Sequence, residues 1–178
     1  KRLEQNNKCY LSLVSGRKLS QLKQMINLAE SNYAGSHGLE IELFFAEDIV
    51  YPNQNRAADN LSKKKYQEIK TKFLGKNDIR LEDKGFGLAL HFASAKKQST
   101  VKKKLKSLFD DTSYQVLVGR KIIEIRPDGW NKGKAVNYIT NQLTAKFNLD
   151  NFIRIYIGDD RTDEDAFEKI KQGIAIYV

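Results

Sequence analysis

The sequence predicts an α/β protein whose parallel-sheet core is built in two stretches, with a lobe of antiparallel sheet and two helices inserted between them. Two stretches of strand–helix alternation and one change of period predict it. The apolar run Cys9 to Val14 is followed by Leu19, Leu22, Ile26 and Ala29 at helical spacing, which is strand, turn, helix. The alternation returns late in the chain, where Val136, Ile139, Leu143 and Phe147 mark a helix, 152–157 a strand, 163–171 a short helix and 174–178 a further apolar strand. Between these stretches the period changes to two.

In that middle region Leu39, Ile41, Leu43 and Phe45 alternate with Glu40 and Glu42, and Leu88, Leu90 and Phe92 alternate with Ala89 and His91. Both patterns suit half-exposed strands, and 114–118 and 121–126 supply two more. Tyr66, Ile69 and Phe73 share a helical face, as do Val101, Leu105, Leu108 and Phe109. The expected division is a first core segment at 1–38, an inserted lobe at 39–127 and a second core segment at 128–178. The stretch Tyr51 to Arg56 reads as a polar loop.

A chain of 178 residues, 40% hydrophobic, is long enough for one core or for a core plus a smaller lobe. No run approaches the roughly 18 apolar residues that span a bilayer, and the first residues form no signal-peptide core. A cytoplasmic location is the default expectation. The single cysteine, Cys9, gives no disulfide framework and is read as a small buried hydrophobe. Much of the formal charge of +9 lies in Lys63-Lys64-Lys65 and in Lys102-Lys103-Lys104 with Lys106. Both runs interrupt helical patterns, so they read as solvated helix faces with a general attraction for anionic ligands. Neither nucleic acid nor a membrane surface is expected as a partner.

Ligands of open parallel sheets collect at the carboxyl ends of the strands, which directs attention to three places. Ser15-Gly16-Arg17 follows the first strand and offers a hydroxyl to an anion, or an ordinary helix N-cap. Trp130-Asn131-Lys132-Gly133-Lys134-Ala135 opens a core helix, with lysines that suit a phosphate or plain solvent. Gly158-Asp159-Asp160-Arg161-Thr162-Asp163-Glu164-Asp165 follows another strand. Helix capping accounts for Glu164 and Asp165, whereas the clustered aspartates repel one another unless a cation compensates, and hard oxygens suit magnesium.

The order of these pieces, a serine after a strand, an inserted lobe, a lysine opening a helix and a Gly-Asp-Asp cluster, resembles motifs two to four of the haloacid-dehalogenase phosphatases. The strings at 33–40 (YAGSHGLE), 82–84 (EDK), 124–127 (EIRP) and 158–167 (GDDRTDEDAF) resemble those of the trehalose-6-phosphate phosphatases. The resemblance runs from about residue 9 to the end, and its last string is highly specific. It implies a haloacid-dehalogenase-like Rossmannoid core and a lobe that acts as a cap closing over the sugar. It also implies Mg²⁺ as cofactor and a sugar phosphate as the small-molecule substrate, trehalose 6-phosphate above all.

By the same resemblance, Ser15 would hydrogen-bond a phosphoryl oxygen, Lys132 would steady the nucleophile, and Asp159 would bind the metal with Asp160 and Asp163 in support. Glu82, Lys84 and Glu124 would grip sugar hydroxyls, with Arg17 and His37 as further contacts near the hinge; His37 alternatively stabilises the turn around Gly35 and Gly38. His91 is read as structural. The family's nucleophile is an aspartate in a DxDGT motif, which this sequence does not contain. The resemblance therefore implies an incomplete core, missing the strand that normally lies between those ending at Val14 and Ile157. The fragment is expected to be inactive alone, within a parent enzyme that is open to fusion with a trehalose-phosphate synthase domain. The competing expectation is a catalytically dead, sugar-phosphate-binding regulatory domain of the same fold.

Overall fold

The computed structural model describes residues 3, 6, 8–52, 56–73, 78–84, 86–94, 96, 98–110 and 113–178, and only the backbone of 56–63 and 66. The chain forms two units, Lys1–Asn53 with Trp130–Val178, and Gln54–Gly129.

In the first unit β1 (Leu11–Val14) leads into α1 (Leu19–Met25), then β2 (Ser31–Gly35) and β3 (Glu40–Glu42). β1 and β2 are parallel, with Leu13 opposite Tyr33, and β3 joins antiparallel to β2, with Ile41 opposite Ala34. This pairing moves the expected boundary at residue 39, because the alternating segment that begins there belongs to the core sheet. β2 is buried at every position, including the polar Ser31 and Asn32. Its interior is tolerable because Asn32 donates to the Leu11 carbonyl and to Ser12 Oγ and accepts from Phe44 N. The sequence gives no apolar signal for such a strand.

α1 stops a turn earlier than the spacing through Ala29 predicts. The Tyr33 hydroxyl donates to the Ile26 carbonyl at 2.8 Å and accepts from Leu28 N, holding the chain out of the helix there. Leu19 and Leu22 pack on Tyr33, on one side of the sheet.

The second unit contains α2 (Arg56–Phe73), β4 (Ile79–Asp83), β5 (Leu88–Phe92), α3 (Gln98–Phe109), β6 (Tyr114–Gly119) and β7 (Ile122–Pro127). The antiparallel sheet has the order β4-β5-β7-β6. Ile69, Phe73, Val101, Leu105 and Phe109 of the two helices bury Leu88, Leu90, Phe92, Ile123 and Ile125 on one sheet face. Truncating a residue such as Leu90 to Ala would cost about 2–5 kcal/mol. The helical face assigned to Tyr66 lies outside the described side chains. Residues 54–129 hold 18 lysines and arginines against 9 aspartates and glutamates, so the whole net charge of +9 belongs to this unit.

The chain returns to the first unit with α4 (Lys132–Phe147), β8 (Arg154–Gly158), α5 (Glu164–Phe167) and β9 (Gly173–Tyr177). Ala135, Ile139 and Leu143 of α4 pack on Ala34, Ile41 and Leu43, opposite α1, and Tyr10 stacks on Phe147 at 4.8 Å. β8 and β9 form their own parallel pair, and among the described residues neither pairs with β1. The expected strand at β8 is covered on one face only. Tyr156 meets Phe167 of α5 edge-on, while Ile155, Ile157, Ile174 and Ile176 on the other face are exposed. No described helix is long and apolar enough to cross a membrane.

Candidate active site

α4 begins where the Asn131 side chain caps it, accepting from Lys134 N at 2.9 Å, and this sets Lys132 in the first helical position. Lys132 is buried and donates to Asp163 Oδ1 at 2.8 Å. Asp163 is also buried, in the turn after β8. Its Oδ1 accepts a second bond from the Tyr156 hydroxyl at 2.5 Å, and its Oδ2 accepts from Asp160 N at 3.1 Å. Burial alone would raise the Asp163 carboxyl, but the hydrogen bonds from Lys132, Tyr156 and Asp160 N and the lysine charge hold it below its ordinary value. Burial, with the hydrogen bond to Asp163 and the charge of Asp163, pushes the Tyr156 phenol well above its ordinary range.

Two glycines permit this arrangement. A Cβ on Gly158 would lie 2.6 Å from Asp163 Cγ, and one on Gly133 would lie 2.0 Å from the Asp165 carbonyl oxygen. The helix start and the acidic turn therefore approach through positions where a methyl group does not fit.

The second cluster joins the loops after β1 and β2. Ser15 is not the helix N-cap, since α1 begins at Leu19 and its first N–H is taken by Glu40 Oε2 at 3.0 Å. Instead Ser15 Oγ accepts from Arg17 N at 3.2 Å, a local turn that leaves the hydroxyl proton available to an incoming acceptor. His37 N donates to the Ser15 carbonyl and Ser36 N to the Arg17 carbonyl, which staples the two loops together. The His37 imidazole packs against Gly16, where a Cβ would fall 2.7 Å from its Nε2. Ser36, His37 and Gly38 all carry positive φ, and Ser36 Oγ donates to Glu40 at 2.7 Å. His37 is thus buried in the turn and Arg17 is exposed beside it. A Cβ on Gly38 would collide with Ala135, so this turn lies directly against the start of α4.

Asp159 and Asp160 are exposed in the turn after β8. Two accessible carboxylates fit a magnesium ion, which keeps several waters and takes one or two protein carboxylates together with substrate phosphate. Both oxygens of Asp163 are engaged by Lys132, Tyr156 and Asp160 N, so this residue braces the loop that carries the other two.

In the second unit Glu82, Lys84 and Glu124 come together on the sheet face away from the helices. Glu82 stands opposite Ala89, which stands opposite Glu124 on the next strand. Glu82 Oε1 is 3.1 Å from Lys84 Nζ, and Oε2 accepts from His91 Nε2 at 2.6 Å. Partial burial works to raise the Glu82 carboxyl, and the hydrogen bonds and charges of His91 and Lys84 bring it below its ordinary value.

Tyr156 and Glu40 are the participants that sequence patterns did not single out, and His91, read as structural, bonds to Glu82. A tyrosine inside an apolar strand needs a hydroxyl partner, and Tyr156 lies on the same strand face as Gly158 and the acidic turn, which was a usable signal. Glu40 reaches a helix 21 residues away, and nothing local announces that.

The trehalose-phosphatase family model matches residues 1–176. The chain is 34% identical over 187 residues to a probable trehalose-phosphate phosphatase J of Arabidopsis thaliana, covering 96% of this chain and 50% of the relative. With a trehalose-phosphate phosphatase of Mycobacterium marinum it shares 30% identity, covering 96% and 44%. The chain thus spans about half the length of these curated relatives. Among solved structures, a trehalose-6-phosphate phosphatase related protein superposes with a TM-score of 0.80 at 21% identity, covering 99% of this chain and 72% of the other. A sucrose-phosphatase from Synechocystis, solved with sucrose and phosphate, gives 0.62 at 18% identity, covering 96% and 69%. These likenesses show a haloacid-dehalogenase-like fold, and with the match along nearly its whole length the chain belongs to the trehalose-phosphatase family.

Proposed function

We propose that the complete protein to which this chain contributes is a magnesium-dependent phosphatase that hydrolyses trehalose 6-phosphate to trehalose and phosphate. The observation that carries the reading is the buried Lys132–Asp163 pair, 2.8 Å apart, at the base of the turn that exposes Asp159 and Asp160.

Phosphoryl transfer depends on positioning and on neutralising charge around the phosphoryl oxygens. Lys132 has one hydrogen-bond partner among the described residues, Asp163, so two of its three ammonium donors remain for the nucleophile and a phosphoryl oxygen. Ser15 donates its hydroxyl proton to another oxygen. Asp159 and Asp160 would hold a magnesium ion, which would supply positive charge to offset the phosphoryl oxygens. Asp163 and Tyr156 keep the lysine and the turn in place. Glu82 and Glu124 accept hydroxyls of the sugar, with Lys84 donating beside them. The nucleophilic aspartate in this reading belongs to a DxDGT motif, which lies outside these 178 residues. The reading takes the enzyme to be cytoplasmic, and the coding sequence would reveal any fusion to a synthase domain.

The test is phosphate release by the complete protein from trehalose 6-phosphate, sucrose 6-phosphate, glucosylglycerol phosphate and glucose 6-phosphate, after chelation and after Mg²⁺ is restored. Fastest release from trehalose 6-phosphate, lost on chelation and recovered with Mg²⁺, is expected. Preference for another sugar phosphate would move the substrate; binding without turnover would favour the regulatory-domain reading.

A further inference from the structure

His91 does more than fill space in the second unit. β4 and β5 are paired so that Arg80 stands opposite His91 and Glu82 opposite Ala89, which makes Glu82 and His91 diagonal neighbours on one sheet face. From that position Nε2 reaches Glu82 Oε2 at 2.6 Å, while Lys84 approaches the other oxygen at 3.1 Å. The three side chains are partly buried, at 25% exposure for Glu82, 18% for Lys84 and 31% for His91.

A glutamate has three side-chain torsions and ordinarily samples many orientations in a half-open site. Here each carboxylate oxygen is held by a donor from a different position, one on its own chain stretch and one on the neighbouring strand. The plane of the carboxylate is therefore fixed. A carboxylate has about four acceptor directions, so two remain for a ligand. Across the sheet the next side chain is the methyl group of Ala89, and beyond it comes Glu124. The Ala89 methyl is fully buried between them, so the two carboxylates flank a covered alanine in one row across the sheet.

We propose that His91 is a positioning residue for sugar recognition: by donating to Oε2 it fixes the Glu82 carboxylate so that its two remaining acceptor directions meet adjacent hydroxyls of a neutral sugar. The inference rests on the phosphatase reading for the identity of the ligand, but the pinning of Glu82 stands on the sheet geometry alone. Preorganisation of this kind is expressed in substrate binding, because the orienting cost is met before the ligand arrives. The chemistry on phosphorus is not touched by it.

Two measurements test the proposal. In the complete enzyme, His91→Ala is expected to raise KM for the sugar phosphate about 10-fold with kcat within about twofold, a loss of the size of one charge-assisted hydrogen bond. Hydrolysis of p-nitrophenyl phosphate, which has no sugar to grip, is expected to be unchanged. His91→Gln, which retains an N–H donor, is expected to recover most of the binding, and His91→Phe none. An unchanged KM, an equal loss on both substrates, or equal behaviour of Gln and Phe would overturn the proposal. In the complete protein, the Glu82 carboxyl followed by ¹³C NMR is expected to titrate at higher pH in His91→Phe than in the unmodified protein. A midpoint that does not move overturns the pinning, whatever the substrate proves to be. A moved midpoint in an enzyme that ignores all sugar phosphates would retain the pinning and remove the phosphatase reading instead.

Discussion

Lys132 and Asp163 are 31 residues apart and bond through their side chains at 2.8 Å, with 8% and 5% of those side chains exposed. One opens a helix and the other closes the turn after a strand, so this single contact fixes the separation of the two elements that bear the candidate site.

Removing one partner leaves a buried charge without compensation. Lys132→Met or Asp163→Leu alone is expected to destabilise the chain by about 3–5 kcal/mol, whereas the double substitution costs much less. Urea denaturation of the three variants provides the double-mutant cycle, and strictly additive losses would contradict the coupling.

The carboxyl of Asp163 is held below its ordinary value, which links it to acid stability. A group whose folded-state pKa is depressed contributes stability that is fully present above the unfolded pKa and is lost as pH falls through the folded value. The loss is thus expected below the ordinary carboxyl value of 3.8. Asp163→Asn is expected to be less stable at neutral pH and to show a flatter decline on acidification. Unfolding free energies measured from pH 6 down to pH 2 check the difference in slope.

Gly133 faces the Asp165 carbonyl at a distance that admits no methyl group. Gly133→Ala should raise intrinsic helix propensity, yet the variant is expected to lose about 1–3 kcal/mol through overpacking, and in the complete enzyme to lower kcat by displacing Lys132. A thermal melt and a turnover assay read the two effects; a stabilised, fully active variant would contradict the packing.

The exposed face of β8 and β9 carries Ile155 opposite Ile174 and Ile157 opposite Ile176. Contiguous apolar surface beside open strand edges promotes association. The 178-residue chain is expected to self-associate as its concentration rises. Ile155→Lys with Ile174→Glu, which places opposite charges across the pair, is expected to keep it monomeric. Sedimentation velocity across a concentration series distinguishes the two.

The legible parts of this molecule were those with a strong period. α3 follows Val101, Leu105 and Phe109, and β5 follows Leu88, Leu90 and Phe92. β2 was not legible as a strand, because Ser31 and Asn32 look like loop residues until Asn32 is seen bonding to the neighbouring strand. The segment from Leu39 had the right period but was assigned to the lobe, since alternation gives a strand's faces and not its partner. In the site, Lys132 and the acidic turn were visible as composition. That Asp163 turns to Lys132 and Tyr156 was not, because tertiary contacts settle which of several neighbouring carboxylates takes which role.

The most direct measurement is phosphate release from trehalose 6-phosphate by the complete protein with Mg²⁺, comparing the unmodified enzyme with Asp159→Ala and Lys132→Ala. The account predicts metal-dependent turnover in the first and a fall of at least about 10²-fold in each variant, in line with the removal of one group that stabilises transition-state charge. Turnover that survives either substitution would contradict the assignment of the site, and its absence in the unmodified protein would contradict the function.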